Sequence, residues 1–163
     1  MSKPLVSRPF GIGFLVLMLS LSADQLSKYW ILYGLDLPDR VSVKVLPFLN
    51  FTMVWNHAVT FGMFGGLGNA GRILFSVIAL SVACGLLVWM ARTPSRRRAA
   101  CVGASTGGAI GNVIDRVRYG AVVDFIHAQA FGWSCDVFNV ADSAIVCAVC
   151  VLVLQNVVAG RQQ

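Results

Sequence analysis

The sequence predicts an all-α membrane protein, with four transmembrane helices and a small antiparallel β-sheet on its outer face. Three observations carry that expectation. Of the 163 residues, 57% are hydrophobic and only 12% are charged, about half the charged fraction of an ordinary soluble domain. Mean hydropathy is +0.74, so the chain has more apolar surface than a core of this size can bury, and lipid must take the remainder. Finally, four stretches approach the roughly 20 apolar residues a helical span requires, and the long loop after the first alternates with the period of a strand.

The first span covers residues 10–33, with Asp24 and Lys28 toward its far end. Its beginning also has the form of a cleaved secretory signal: Lys3 and Arg8, an apolar run, then Ser20, Ser22 and Ala23. The apolar pattern resumes past that point at Leu26, Tyr29, Trp30, Ile31 and Leu32, so a retained helix is expected. The outer loop 34–71 is too long for a mere connector. Within it Val41, Val43 and Val45 alternate with Ser42 and Lys44, and residues 49–55 alternate again around Asn50 and Thr52. A small antiparallel sheet is expected there, resting at the membrane surface through Phe48, Phe51, Trp55 and Phe61.

The second span, 73–91, is uncharged, and Thr93-Pro94-Ser95 breaks it from the third. The third, 99–116, is rich in small residues and ends at Asp115-Arg116. The outer loop 118–136 is aromatic, with Phe125, Phe131 and Trp133, and is expected to hold a turn of surface helix. The fourth span, 140–160, has Asp142 close to its start. Residues 1–163 thus read as one membrane-embedded domain.

Lys3, Arg8, Arg92, Arg96, Arg97, Arg98 and Arg161 fall on one side of an even number of crossings, and six further basic residues on the other. The tight cluster Arg96-Arg97-Arg98 decides the orientation, placing both termini in the cytoplasm. The same cluster and the net charge of +6 could suggest nucleic acid, but a position between two spans makes topology the better account. Five scattered cysteines form neither a disulfide framework nor a C-x-x-C metal site. Gly66, Gly68 and Gly71 match a dinucleotide fingerprint by spacing, yet a span follows and no acid occurs before Asp115, so a turn explains them. His57, His127 and Cys135 share the outer side, but nothing in their spacing requires a nucleophile pair.

All seven acids are aspartates. Asp36, Asp39 and Asp136 lie in polar loops. Asp24, Asp115, Asp124 and Asp142 each adjoin apolar sequence at the outer end of a span, where an acid persists with a partner or a task. Asp24 and Lys28 are four apart, in the favourable order for a helical ion pair, and Arg116 can turn back to neutralise Asp115 or a neighbour. Asp124 and Asp142 have no adjacent cation and could meet at one depth. Two carboxyls sharing a site hold one proton between them, which suits activation of water by one and protonation of a leaving amine by the other. Such peptide hydrolysis needs no metal.

Five blocks then bear on family: Asp24-Gln-Leu-Ser-Lys28, Asn56-His-Ala-Val-Thr-Phe61-Gly62, Gly107 to Arg116, Val123-Asp124-Phe125, and Phe138-Asn139-Val-Ala-Asp142. In that order they resemble bacterial lipoprotein signal peptidase (signal peptidase II). The resemblance implies an aspartyl endopeptidase of the bacterial inner membrane, active near the periplasmic face. It would cleave signal peptides from prolipoproteins just before a diacylglyceryl cysteine. By position, Asp124 and Asp142 match the catalytic pair, while Asp24, Lys28, Asn56, Gly108, Asn112, Asp115, Arg116 and Asn139 match residues that shape the site or bind substrate. The implied partners are the prolipoprotein and membrane lipids, acting on a monomer with no cofactor and no nucleic acid. One departure is Ala58, where the family pattern favours glycine.

Overall fold

The computed structural model describes residues 9–57, 68–130 and 132–160. Helix α1 (Phe10–Tyr29) continues through a π-helical turn, Trp30–Gly34, before the chain leaves it. A short helix α2 (Leu37–Arg40) follows, with proline in its first turn. It is bracketed by Asp36 and Val41, at φ 54° and 62°. A β-branched residue avoids that conformation. Val41 is held there from both sides: its N–H donates to Leu37 O at 2.8 Å, and its carbonyl accepts from Met53 N at 2.9 Å.

Strands β1 (Ser42–Leu46) and β2 (Leu49–Asn56) form the expected hairpin around Pro47-Phe48. Then come α3 (Gly68–Arg92), α4 (Arg96–Tyr119), β3 (Val122–Ala130), β4 (Trp133–Ser134) and α5 (Val140–Gly160). The four strands lie antiparallel in chain order. The Thr93-Pro94-Ser95 break separates α3 from α4, and Ser95 caps α4 by accepting from Arg98 N. Of the fingerprint glycines, Gly68 and Gly71 lie in the opening turn of α3, while Gly66, like Ala58, Phe61 and Phe131, is outside the described residues.

Loop 118–136 differs from expectation. Instead of surface helix it supplies β3, paired with β2 through Val54↔Asp124, Trp55↔Val123 and Asn56↔Val122. Its first four residues are all buried and show no alternation; the period of two is confined to the second half, where Ile126, Ala128 and Ala130 alternate with His127 and Gln129.

Among the described residues, two helical runs are long and apolar enough to cross a bilayer, Phe10–Gly34 and Val140–Val158, and a shorter apolar stretch covers Ser76–Arg92. Helix α4 packs against α1, α3 and α5. Its buried positions are Ala99, Val102, Gly103, Ser105, Thr106, Gly107, Gly108, Gly111 and Asp115, so its polar content is sheltered by neighbours. The outward faces of the others are apolar, with Phe14, Leu15, Leu19, Leu80, Val88 and Leu154 exposed. A continuous apolar surface of this kind needs a nonaqueous neighbour.

One core cluster, Ile31, Leu32, Leu37, Val123 and Phe125, clamps the sheet to the helix ends, and a second around Leu17, Met90, Ala99 and Val102 packs the opposite end. The small residues on α4 set the closest approaches. A Cβ at Gly108 would lie 2.7 Å from Ala141 O, and one at Gly111 would strike the Asp24 carboxylate. Helices α4 and α5 therefore meet backbone against backbone at Gly108, and Gly111 leaves room on α4 for the Asp24 carboxylate.

Candidate active site

At the sheet end, α4 terminates at Gly120 in the left-handed conformation, φ 80°, with its N–H on Arg116 O. That tight exit turns the chain directly into β3. Asp124 follows, 1% exposed, on the strand rather than on a helix. Its Oδ2 accepts from Asn56 Nδ2 at 2.9 Å and its Oδ1 from Asn139 Nδ2 at 2.6 Å. Burial pushes its carboxyl up to about 6, and the Asp142 charge adds to the rise; the Asn56 and Asn139 hydrogen bonds and the Lys28 charge oppose it. This is the behaviour of an acid whose charge is poorly solvated.

Asp142 sits in the first turn of α5, half-buried. Its Oδ1 accepts from Asn112 Nδ2 at 2.9 Å and its Oδ2 from Asn139 N at 3.2 Å. Asn139 Oδ1 in turn accepts from Asp142 N at 2.9 Å. This reciprocal exchange is a capping box, with aspartate in the position glutamate usually takes. Asn139 is 0% exposed and so serves both carboxylates: its side-chain amide holds Asp124, and its backbone N–H holds Asp142.

Beneath this pair lies a second cluster. Lys28 Nζ bridges Asp24 Oδ2 at 2.8 Å and Asp115 Oδ2 at 2.7 Å, with all three side chains essentially removed from solvent. It also donates to Asn112 Oδ1 at 3.0 Å. Asp24 Oδ1 accepts from Ala141 N at 3.0 Å, tying α1 to the start of α5. Asp115 Oδ2 accepts from Val123 N at 3.2 Å, tying α4 to β3. Gln25 Nε2 donates to Asp24, Asp115 and Gly111 O. The two clusters touch through Asn112.

Comparison with known proteins identifies the family. A sequence profile of Signal peptidase (SPase) II matches residues 16–158. The chain belongs to the signal peptidase II family. It is 45% identical over 147 residues to the lipoprotein signal peptidase of Methylorubrum extorquens, covering 90% of this chain and 86% of that one. Its identity with the Rhodopseudomonas palustris lipoprotein signal peptidase is 40%, over 92% and 94% of the two chains. A bacterial membrane enzyme solved by the in meso method at 1.9 Å superposes with a TM-score of 0.79 at 28% identity, over 94% of this chain and 97% of that one. A signal peptidase II is a peptide hydrolase, so the site has a peptide bond to break.

Against that family background, the structure brings Asp24, Lys28, Asn56, Asn112, Asp115, Asp124, Asn139 and Asp142 into one connected network. Gly108 contributes by letting α5 settle on α4. Of the partners expected for Arg116, Asp115 is ion-paired elsewhere. Asp115 is neutralised by Lys28, and Arg116 instead donates Nη1 to Asn112 O at 3.2 Å. Adjacent residues on a helix diverge by about 100° (3.6 residues per turn), so Asp115 faces α1 while Arg116 turns away. Gln25, which bridges both carboxylates of the lower cluster, has no sequence signal beyond the polar pair Asp24-Gln25. Elsewhere, His127 Nε2 pairs with Ser134 Oγ at 2.7 Å on the sheet. Among the described residues, no group of three or more His, Cys, Asp or Glu side chains could hold a metal ion.

Proposed function

We propose that this signal peptidase II removes signal peptides from diacylglyceryl-modified prolipoproteins by aspartyl catalysis, cutting the bond before the lipidated cysteine. The observation that carries the proposal is Asn139, which holds Asp124 through its side chain and Asp142 through its backbone. Neither carboxylate has a direct ion pair among the described residues, so their charge remains available for proton exchange. One carboxylate takes a proton from water as the oxygen attacks the scissile carbonyl, while the other carboxyl gives its proton to the carbonyl oxygen. As the diol collapses, the C–N bond breaks. The first carboxyl protonates the leaving nitrogen, and the diol proton returns to the second, restoring the starting state.

Asn56, Asn112 and Asn139 position the pair, Arg116 and Gly108 border it, and Asp24, Lys28 and Asp115 brace it from below. We further propose that α1, α3, α4 and α5 all cross the bacterial inner membrane, with both termini in the cytoplasm and the sheet on the periplasmic side. Helix α4 has 24 residues, about 36 Å at 1.5 Å per residue, enough for a hydrocarbon core of roughly 30 Å. Its polar surface is shielded by α1, α3 and α5. A substrate anchored in lipid by its diacylglyceryl cysteine presents its cleavage site at this depth. The enzyme would act as a monomer among membrane lipids.

The test is cleavage in lipid vesicles, with mass spectrometry of the product. A diacylglyceryl prolipoprotein should yield a new N-terminus at the lipidated cysteine, and the unlipidated precursor should remain intact. Equal cleavage of both precursors, or a cut elsewhere, would overturn the assignment.

A further inference from the structure

Asn112 stands between the two clusters, and its amide is fixed by its neighbours. Oδ1 accepts from Lys28 Nζ at 3.0 Å and from Asn139 Nδ2 at 3.2 Å. With its acceptor end occupied by two donors, the amide must turn Nδ2 toward Asp142 Oδ1, which it meets at 2.9 Å. If Lys28 were absent, one of the donors fixing that orientation would be lost. An Asn carbonyl facing Asp142 would then require that carboxyl to be protonated, because a carboxylate can only accept.

We propose that Lys28 is a positioning residue of the proteolytic site: through Asn112 it holds Asp142 as the carboxylate that receives the water proton and leaves the acidic proton to Asp124. The proposal rests on Asp124 and Asp142 being the catalytic pair. Three independent features agree with this asymmetry. Asp142 accepts two N–H groups in the first turn of a helix, where the helix dipole favours an anion. Asp124 is the more deeply buried of the two, so its charged form is the less favourable. Lys28 itself is fixed in place by Asp24 and Asp115 at 2.8 and 2.7 Å. The charged groups around the site are therefore Asp24 and Lys28 from α1, Asp115 and Arg116 from α4, Asp124 from β3 and Asp142 from α5. Lys28 is the cation that reaches a dyad-contacting amide through its side chain; Arg116 reaches only the Asn112 backbone carbonyl.

A role through Asn112 differs from simple bracing in what it does to kinetics. In vesicles with lipidated prolipoprotein, Lys28→Met should lower kcat by about a hundredfold, the scale of lost acid–base catalysis, with KM little changed. The pH profile of the residual activity should move to higher pH by about one unit, since a cation favouring the carboxylates is gone. Lys28→Arg should restore much of both. In an Asn112→Ala background, Lys28→Met should add little further loss of kcat. Asn112→Asp, which keeps an acceptor for Lys28 but offers no donor to Asp142, should reproduce the kcat loss in a protein that needs no new packing. That variant decides the matter if Lys28→Met fails to fold. An unshifted pH profile in folded Lys28→Met, multiplicative losses in the double variant, or wild-type kcat in Asn112→Asp would each overturn the proposal. Substantial cleavage by Asp124→Asn or Asp142→Asn would instead overturn the dyad itself, so the two failures are distinguishable.

Discussion

The two carboxylate pairs of this molecule lie side by side and are treated in opposite ways. Asp24 and Asp115 share an ammonium at 2.8 and 2.7 Å, deep between α1 and α4. Asp124 and Asp142 are held by amides alone: Asn56, Asn112 and Asn139. A carboxylate paired with a buried cation ties elements together, here α5 and β3 through Ala141 N and Val123 N. A carboxylate held by neutral amides keeps its position while its proton remains exchangeable. The difference between a brace and a reactive pair is therefore the charge of the donor, since both pairs are surrounded by hydrogen bonds.

The most severe way to break this contrast is to remove a reactive carboxylate. Asp124→Asn and Asp142→Asn should each lower cleavage of lipidated prolipoprotein by at least about a thousandfold, with the circular dichroism spectrum and membrane insertion retained. A well-folded Asp124→Asn protein with near wild-type turnover would show that the amide-held pair is not the catalytic one.

The brace should respond in stability first. Lys28→Met leaves Asp24 and Asp115, both at most 1% exposed, without a cation, at a cost of about 3–5 kcal/mol. Asp24→Asn should cost less, because Asp115 still pairs with Lys28 at 2.7 Å. Combining the two should cost less than their sum, since fewer orphan charges remain. Strict additivity in thermal unfolding would mean that the bridge contributes no coupling.

The smallest effect is a pH dependence carried by Asp124. Its folded pKa is raised from 3.8 to about 6. Its contribution to stability is therefore complete below about pH 4 and is lost as pH rises through about 6. The loss is on the order of 2–3 kcal/mol, at 1.36 kcal/mol per unit. Asp124→Asn should flatten the fall in melting temperature over that window. An unchanged slope would place the titration on another group.

Several of these features were legible in the chain because their signals are local. The apolar runs and the Thr93-Pro94-Ser95 break located the helices, and α5 spans Val140–Gly160 as expected. Alternation located β1 and β2 to within a residue or so. The i, i+4 spacing predicted the Asp24–Lys28 contact, and Asn139 stands three residues before Asp142, the spacing of the cap it forms. By contrast β3 was missed, because its buried first half, residues 122–125, shows no alternation and only Ile126, Ala128 and Ala130 alternate with polar residues.

What the sequence by itself determined is thus the long helices, the first hairpin and the chemical type of the residues at the sheet end. Only the tertiary structure decided that Asp115, and not Asp124 or Asp142, would share the Lys28 ammonium with Asp24. Lys28 reaches Asn112 across 84 positions, and Asn112 reaches Asp142 across 30. Those meetings depend on how closely α4 approaches α1 and α5 at Gly111 and Gly108, and on the register that sets Val54 opposite Asp124. Periodicity along a chain fixes which face a side chain occupies. The distance between faces is set by packing, and at buried sites a difference of a few ångströms decides whether a carboxylate is paired or left free to exchange its proton.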